Sequence, residues 1–166
     1  MSKVIRFESR RAGTIEVPAE DVVHFEPLPG FPKMSRFVLM EHDAGSELGW
    51  MVSLDDPDLA FVVASPWEFF PQYDPPIERE HLAALGIERR DDVEMLCMVT
   101  LSGKQIHLNL AAPLLVNAVD RRGMQVVSDD PRYTTRAAIP MLTDEPVAQR
   151  VDAAVDTGRS PNAPSA

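Results

Sequence analysis

Residues 49–64 read GWMVSLDDPDLAFVVA, two apolar runs on either side of the acidic turn Asp55-Asp56-Pro57-Asp58. Proline presets the backbone for a turn, and aspartate side chains accept hydrogen bonds from nearby amides, so the centre favours a chain reversal. The runs at 50–54 and 59–63 are apolar on both faces, which is typical of strands that are covered on each side. The stretch therefore predicts a β-hairpin at the centre of the fold.

The segments on either side of this hairpin carry the same pattern of strands and turns. Runs at 37–40, 95–101 and 114–119 are apolar on both faces, whereas 5–7, 15–17 and 105–110 alternate between apolar and polar residues. Turn residues separate them at Pro29-Gly30, Ser102-Gly103 and Asp120-Arg121-Arg122-Gly123. Short helices are expected at 66–70, after Ser65, and at 78–85, before Gly86. We predict a mainly β chain, a compact antiparallel β-barrel-like single domain with one or two short helices.

The domain is expected to span residues 1–140. From residue 141 the composition shifts to Ala, Pro, Asp and Thr, so 141–166 is predicted to be a mostly disordered tail. Val147, Val151 and Val155 recur every four residues, and 146–155 could form a marginal helix on docking. Cys97 is the single cysteine and lies in an apolar run, which predicts a buried thiol.

Negative charge is concentrated in the middle of the chain. The formal net charge is −10, but residues 41–94 carry 14 acids against 3 arginines, and the rest of the chain is close to neutral. This region would repel nucleic acid and anionic membranes and would attract a basic partner, or it is simply a solvated face. No apolar run approaches the roughly 20 residues that cross a bilayer, and the N-terminus lacks a secretion signal, so we expect a cytoplasmic protein.

No motif for catalysis or cofactor binding stands out. Gly103-Lys104 is followed by Gln105, which excludes a phosphate-binding loop of the common type. His24, His42, His81 and His107 are scattered without the paired spacing of metal ligands, so no metal or cofactor is expected. An alternative interpretation is a small-ligand-binding or enzymatic β-barrel whose cavity is lined by His107, Asn109 and Asn117.

Two groups of residues are candidates for protein binding. Asp55, Asp56 and Asp58 form either a capped turn or an acidic loop tip for a basic partner. Four aromatic residues fall within 67–73. In this segment Phe69 and Phe70 either pack in the core or form an exposed aromatic anchor, with Glu68 as part of an acidic rim. We predict that these six residues form the protein-binding site.

The order of several short motifs resembles the flagellar assembly factor FliW family over about residues 4–139. The motifs are Gly13-x-Ile15-x-Val17-Pro18, Leu28-Pro29-Gly30-Phe31-Pro32, Ser53-Leu54-Asp55-Asp56-Pro57-Asp58-Leu59-Ala60-Phe61 and Asn109-Leu110-Ala111-Ala112-Pro113. Ser9-Arg10-Arg11-Ala12 departs from the aromatic-glycine pattern of the family's first turn.

This resemblance implies a β-barrel-like fold without catalytic activity. It also implies binding of the basic RNA-binding regulator CsrA away from its RNA site, which relieves repression of flagellin mRNA, and binding of flagellin itself. A flagellin-specific chaperone without regulatory activity is a further interpretation. Neither direct nucleic acid binding nor membrane binding is expected.

Overall fold

The computed structural model describes residues 3–41, 48–102 and 105–139. The predictions for the tail at 141–166, including the helix at 146–155, lie outside the described residues, as does His42. The strands in the described ranges are β1 (Val4–Ser9), β2 (Gly13–Pro18), β3 (Val23–Phe25), β4 (Arg36–Glu41), β5 (Leu48–Ser53), β6 (Ala60–Ala64), β7 (Val93–Ser102), β8 (Gln105–Leu108), β9 (Leu114–Asn117), β10 (Arg122–Gln125) and β11 (Ala137–Ala138). The α-helix there is α1 (Arg79–Ala84), and 3-10 helices span Ala19–Asp21, Pro66–Glu68 and Arg90–Asp92.

Strands β5 and β6 form the hairpin predicted for residues 49–64. They pair antiparallel from Leu48 opposite Ala64 to Val52 opposite Ala60, and the acidic turn closes the hairpin. The 3-10 helix at Pro66–Glu68 and helix α1 correspond to the two predicted helices. Every helix in the described part of the chain lacks the length and apolar character needed to cross a membrane.

Seven strands close into a barrel in the order β7-β6-β5-β4-β3-β10-β9, and β9 pairs back with β7. Strand β7 makes this closure possible because its residues 93–96 pair with β9 while Cys97 and Met98 pair with β6. Its remaining residues pair with β8, which in turn pairs with β11 outside the barrel. The predicted mainly β, barrel-like fold is confirmed, and one pair in the barrel, β3 with β10, is parallel.

Apolar side chains from six of the seven strands meet in one cluster, as expected for the barrel interior. The cluster holds Val23, Phe25, Phe37, Met51, Val63, Leu114 and Val116, with Leu96 and Met98 of β7 packed against it. Strand β10 contributes Gly123, which pairs with Phe25 of β3. A Cβ at Gly123 would lie 2.5 Å from the Phe25 ring, so the absence of a side chain makes room for this ring.

Further layers cover the outer faces of the barrel strands. Ile5 and Phe7 of the β1–β2 hairpin pack over Val38 and Leu54. On another side, Leu85 at the end of α1 packs on Leu115 of β9. Gly86 then ends the helix with a φ of 69°, a left-handed conformation that glycine adopts without strain. These layers explain why so many strands are apolar on both faces.

Replacement of Gly123 by alanine is expected to destabilise the protein by about 1–3 kcal/mol, because the new methyl group overpacks the Phe25 ring. Urea unfolding of the wild type and the variant measures this loss. The double variant Gly123→Ala/Phe25→Leu is the matched control, and its loss should be smaller than the sum of the two single losses. Strict additivity would contradict the proposed contact.

Cys97 is fully buried, and burial raises the pKa of its thiol to about 12. At neutral pH the thiol is therefore protonated and shielded, and the thiolate is the reactive species. We expect a disulfide reagent such as DTNB to label one thiol per chain in urea and to label the native protein only at the rate of unfolding. Rapid labelling of the native protein would contradict this burial.

Candidate functional site

The acidic turn between β5 and β6 is organised by its own side chains. Ser53 Oγ accepts hydrogen bonds from the amides of Asp55 and Asp56, each at 3.0 Å. Asp56 Oδ1 accepts one from the amide of Asp58 at 2.9 Å. These contacts correspond to the capped turn, since short polar side chains here satisfy amides that no strand can pair.

The carboxylate of Asp55 joins the turn to the start of β4. It accepts hydrogen bonds from the amides of Ser35 and Arg36, both at 2.9 Å, and from Nε of Arg36 at 3.0 Å. Its side chain is 21% exposed. Burial alone would raise the pKa of Asp55, but the bonds from Arg36 and Ser35 outweigh it and hold the pKa below its usual range.

Asp58 joins the same turn to the β1–β2 hairpin. Nη1 of Arg10 donates to both of its carboxylate oxygens, at 2.6 and 2.7 Å, and Nε of Arg11 donates to its backbone oxygen at 2.6 Å. The amides of Arg11 and Ala12 in turn donate to Ser9 Oγ. Arg10 and Arg11, which depart from the family pattern in the first turn, therefore hold the acidic turn in place. Arg36 and Arg10 compensate the charges of Asp55 and Asp58.

The aromatic segment follows β6 directly. Ser65 occupies the N-cap position of the 3-10 helix, although its side chain makes no capping hydrogen bond. Trp67 is 44% exposed, and its Nε1 donates to the backbone oxygen of Tyr73 at 2.9 Å. Phe69 and Phe70 are half-buried and pack against the hydrophobic cluster that contains the buried Tyr73, whose hydroxyl donates to the Leu110 backbone oxygen. The exposed ring of the segment is thus Trp67, which was outside the predicted set.

Trp67 borders a groove of about 550 Å³, which we call the Trp67 groove. Residues lining it from the open end of the β5–β6 hairpin, the start of β7 and the 3-10 helix include Gly49, Val63, Trp67, Glu68, Glu94 and Leu96. The acidic turn lies at the closed end of the same hairpin. Strands of this length put the two features about 15–20 Å apart.

Phe69 and Phe70 line a different groove of about 530 Å³, which we call the Tyr133 groove. Its other lining residues include Tyr73, Leu110, Arg132 and Tyr133. Asp130 pairs with Arg132 at 2.8 Å, and the hydrogen bonds from Arg132 lower the pKa of Asp130. The structure therefore divides the six predicted residues among three places. Asp55, Asp56 and Asp58 lie in the acidic turn, Glu68 lines the Trp67 groove, and Phe69 and Phe70 line the Tyr133 groove.

The residues of the alternative small-ligand site do not converge. Asn117 donates to the Leu85 oxygen and accepts bonds from the amides of Val119 and Asp120, so it closes a turn and holds the end of α1. Asn109 accepts a bond from the amide of Ala112 in another turn. Asn117 lines a cleft of about 180 Å³ that neither His107 nor Asn109 lines.

His107 lies in β8, opposite Thr100 of β7 and Ala138 of β11. Its Nδ1 is buried without a hydrogen-bond partner in the described ranges. Within the same ranges, no three His, Cys, Asp or Glu side chains come together as a metal-binding group.

Replacement of Asp55 by alanine is expected to lower the free energy of unfolding by about 1–3 kcal/mol at pH 7, because two amides and a guanidinium lose their acceptor. The pKa of Asp55 is lowered in the folded state, so the carboxylate stabilises the protein above its unfolded pKa of about 3.9 and loses this effect as pH falls through the folded pKa. The difference from wild type should therefore shrink at low pH.

Urea unfolding at pH 7 and pH 3 measures both effects. Asp91→Ala is the control, since Asp91 is exposed and its ion pair with Arg89 is long, at 3.7 Å. We expect the control to change stability by no more than about 0.5 kcal/mol. An Asp55→Ala protein as stable as this control at pH 7 would contradict the clamping role.

Comparison with known proteins agrees with this fold. The sequence model of the family described as FliW protein matches residues 6–139. The flagellar assembly factor FliW of Caldicellulosiruptor saccharolyticus is 37% identical over 131 residues, covering 77% of this chain and 86% of that protein. That of Magnetococcus marinus is 31% identical over 144 residues, covering 84% of this chain and 86% of that protein.

A solved structure is also similar. The crystal structure of a flagellar assembly factor FliW matches with a TM-score of 0.75 and 29% identity, covering 81% of this chain and 96% of that chain. The names of these relatives describe assembly factors and not enzymes. The family model and the curated relatives span nearly all of the described β domain, and the chain therefore belongs to the FliW family.

Proposed function

We propose that this chain is a flagellar assembly factor that binds the basic RNA-binding regulator CsrA in the cytoplasm, relieves repression of flagellin mRNA, and also binds flagellin. Its membership of the FliW family supports an assembly role. The observation that carries the CsrA part is the concentration of negative charge, 14 acids against 3 arginines over residues 41–94. A region with this excess of negative charge attracts a basic partner and repels RNA.

The proposed mechanism is electrostatic and needs no catalytic step. Acidic side chains bring a basic protein to the surface and accelerate its association. When the chain is bound beside the RNA-binding surface of CsrA, its negative charge disfavours the approach of RNA phosphates to that surface. Flagellin binding would then set how much of the chain is free to capture CsrA.

A flagellin-specific chaperone is the second candidate function. It is favoured by the Tyr133 groove, in which Phe69, Phe70 and Tyr133 contribute apolar surface and Asp130 compensates the charge of Arg132. Such a surface suits a partner recognised by apolar contacts, without the charge attraction that CsrA capture requires.

Calorimetric titration with purified CsrA tests the proposal. We expect binding that weakens several-fold between about 0.05 M and about 0.3 M salt, because screening shortens the reach of the surface charges. In a gel-shift assay, added protein should release CsrA from the flagellin leader RNA, and added flagellin should reverse this release. An unrelated acidic protein is the control and should release none.

Binding of flagellin without any binding of CsrA would overturn the regulatory role and favour the chaperone. CsrA binding whose affinity does not change with salt would contradict the electrostatic mechanism.

A further inference from the structure

Two negatively charged features of the surface, the acidic turn and the Trp67 groove, are candidates for direct contact with a basic partner, and their local chemistry separates them. In the acidic turn, Asp55 and Asp58 are already paired with Arg36 and Arg10. A carboxylate that holds an intramolecular ion pair must lose that pair, or share it, before it can bind a partner's cation. The acidic turn is therefore a poor contact surface despite its density of aspartates.

The Trp67 groove differs in that its charges are unpaired. Glu68 and Glu94 both line it and are both exposed. Neither carboxylate makes a hydrogen bond or an ion pair with the residues that the structure describes. The described residues that line the groove include no Lys, Arg or His. Among the residues that the structure describes, the groove thus presents two negative charges without a neighbouring cation.

Trp67 lines the same groove as these charges and supplies an apolar anchor. Trp67 is 44% exposed, yet the hydrogen bond from its Nε1 to the Tyr73 backbone oxygen holds the indole in place. An aromatic ring that is already fixed loses little conformational entropy when a partner covers it, which is why such residues dominate binding energy. The face of an indole also attracts the cation of Lys or Arg.

The choice of occupant follows from charge. A nucleic acid would bring phosphates against Glu68 and Glu94 and would be repelled. A second copy of this chain would bring a net charge of −10 against the same carboxylates. A protein segment that places Lys or Arg beside an apolar side chain complements both the carboxylates and the indole.

We propose that the Trp67 groove is the docking site for such a segment on CsrA, with Trp67 as the apolar anchor and Glu68 and Glu94 as acceptors for its Lys or Arg side chains. This inference rests on the proposed function, since it takes CsrA as the basic partner. It assigns the contact to the open end of the β5–β6 hairpin and not to the acidic turn at its closed end.

Three variants of the full chain test the assignment by calorimetric titration with CsrA. Trp67→Ala removes the anchor, and Glu68→Lys/Glu94→Lys reverses the groove's charge. The matched control is Glu26→Lys/Asp91→Lys, which makes the same change in net charge at exposed acids that do not line the groove. Urea unfolding of each variant establishes that it is folded.

We expect Trp67→Ala and the groove double variant each to weaken CsrA binding at least about tenfold, and the control to change it less than about threefold. The groove variant should also show a weaker dependence on salt than wild type. If wild type binds CsrA and both groove variants bind as tightly, the assignment is wrong while the proposed function stands.

Two other results would also overturn the assignment. If the wild-type protein binds no CsrA, the proposed function is wrong, and the assignment of CsrA to the Trp67 groove is wrong with it. If Trp67→Ala loses flagellin binding and retains CsrA binding, the groove belongs to flagellin. Because the groove double variant leaves the Trp67 hydrogen bond in place, a folding defect of Trp67→Ala would still leave one decisive variant.

Discussion

The divided pairing of β7 is the constraint on which the structure depends. Residues 93–96 pair with β9 and close the barrel, whereas Cys97 and Met98 pair with β6. Since β6 ends at Ala64, opposite Cys97, the chain beyond it has no strand partner on β7 and turns into the 3-10 helix that carries Trp67. The Trp67 groove lies beside the point where β6 ends and separates from β7.

Much of the fold could be predicted from sequence because its central strands are strongly apolar and its turns carry Pro, Gly and Asp. The hairpin of β5 and β6 is the clearest case. The parallel pair of β3 and β10 could not be predicted, since β3 has three residues and β10 begins within a stretch that is typical of a turn, Asp120-Arg121-Arg122-Gly123. Its register depends on a long-range contact, the Phe25 ring over Gly123, that no local pattern reveals.

The candidate site was predictable only in part. The sequence singles out the acidic turn by its three aspartates, but the arginines that pair with Asp55 and Asp58 lie 19 and 48 positions away. The aromatic segment also stands out, yet a single turn of 3-10 helix has no strand-like alternation to indicate which ring is exposed. Glu94 did not enter the predicted set, because it lines the same groove as Glu68 only once β7 is placed beside the end of β6.

These contacts change how the charge of the molecule is understood. Net charge counts Asp55 and Glu68 equally, but Asp55 holds the fold together while Glu68 is available to a partner. Hydrogen exchange with and without CsrA distinguishes the two roles most directly. We predict added protection of the amides at 65–69 when CsrA binds and unchanged exchange at 53–59, and protection confined to 53–59 would contradict the account.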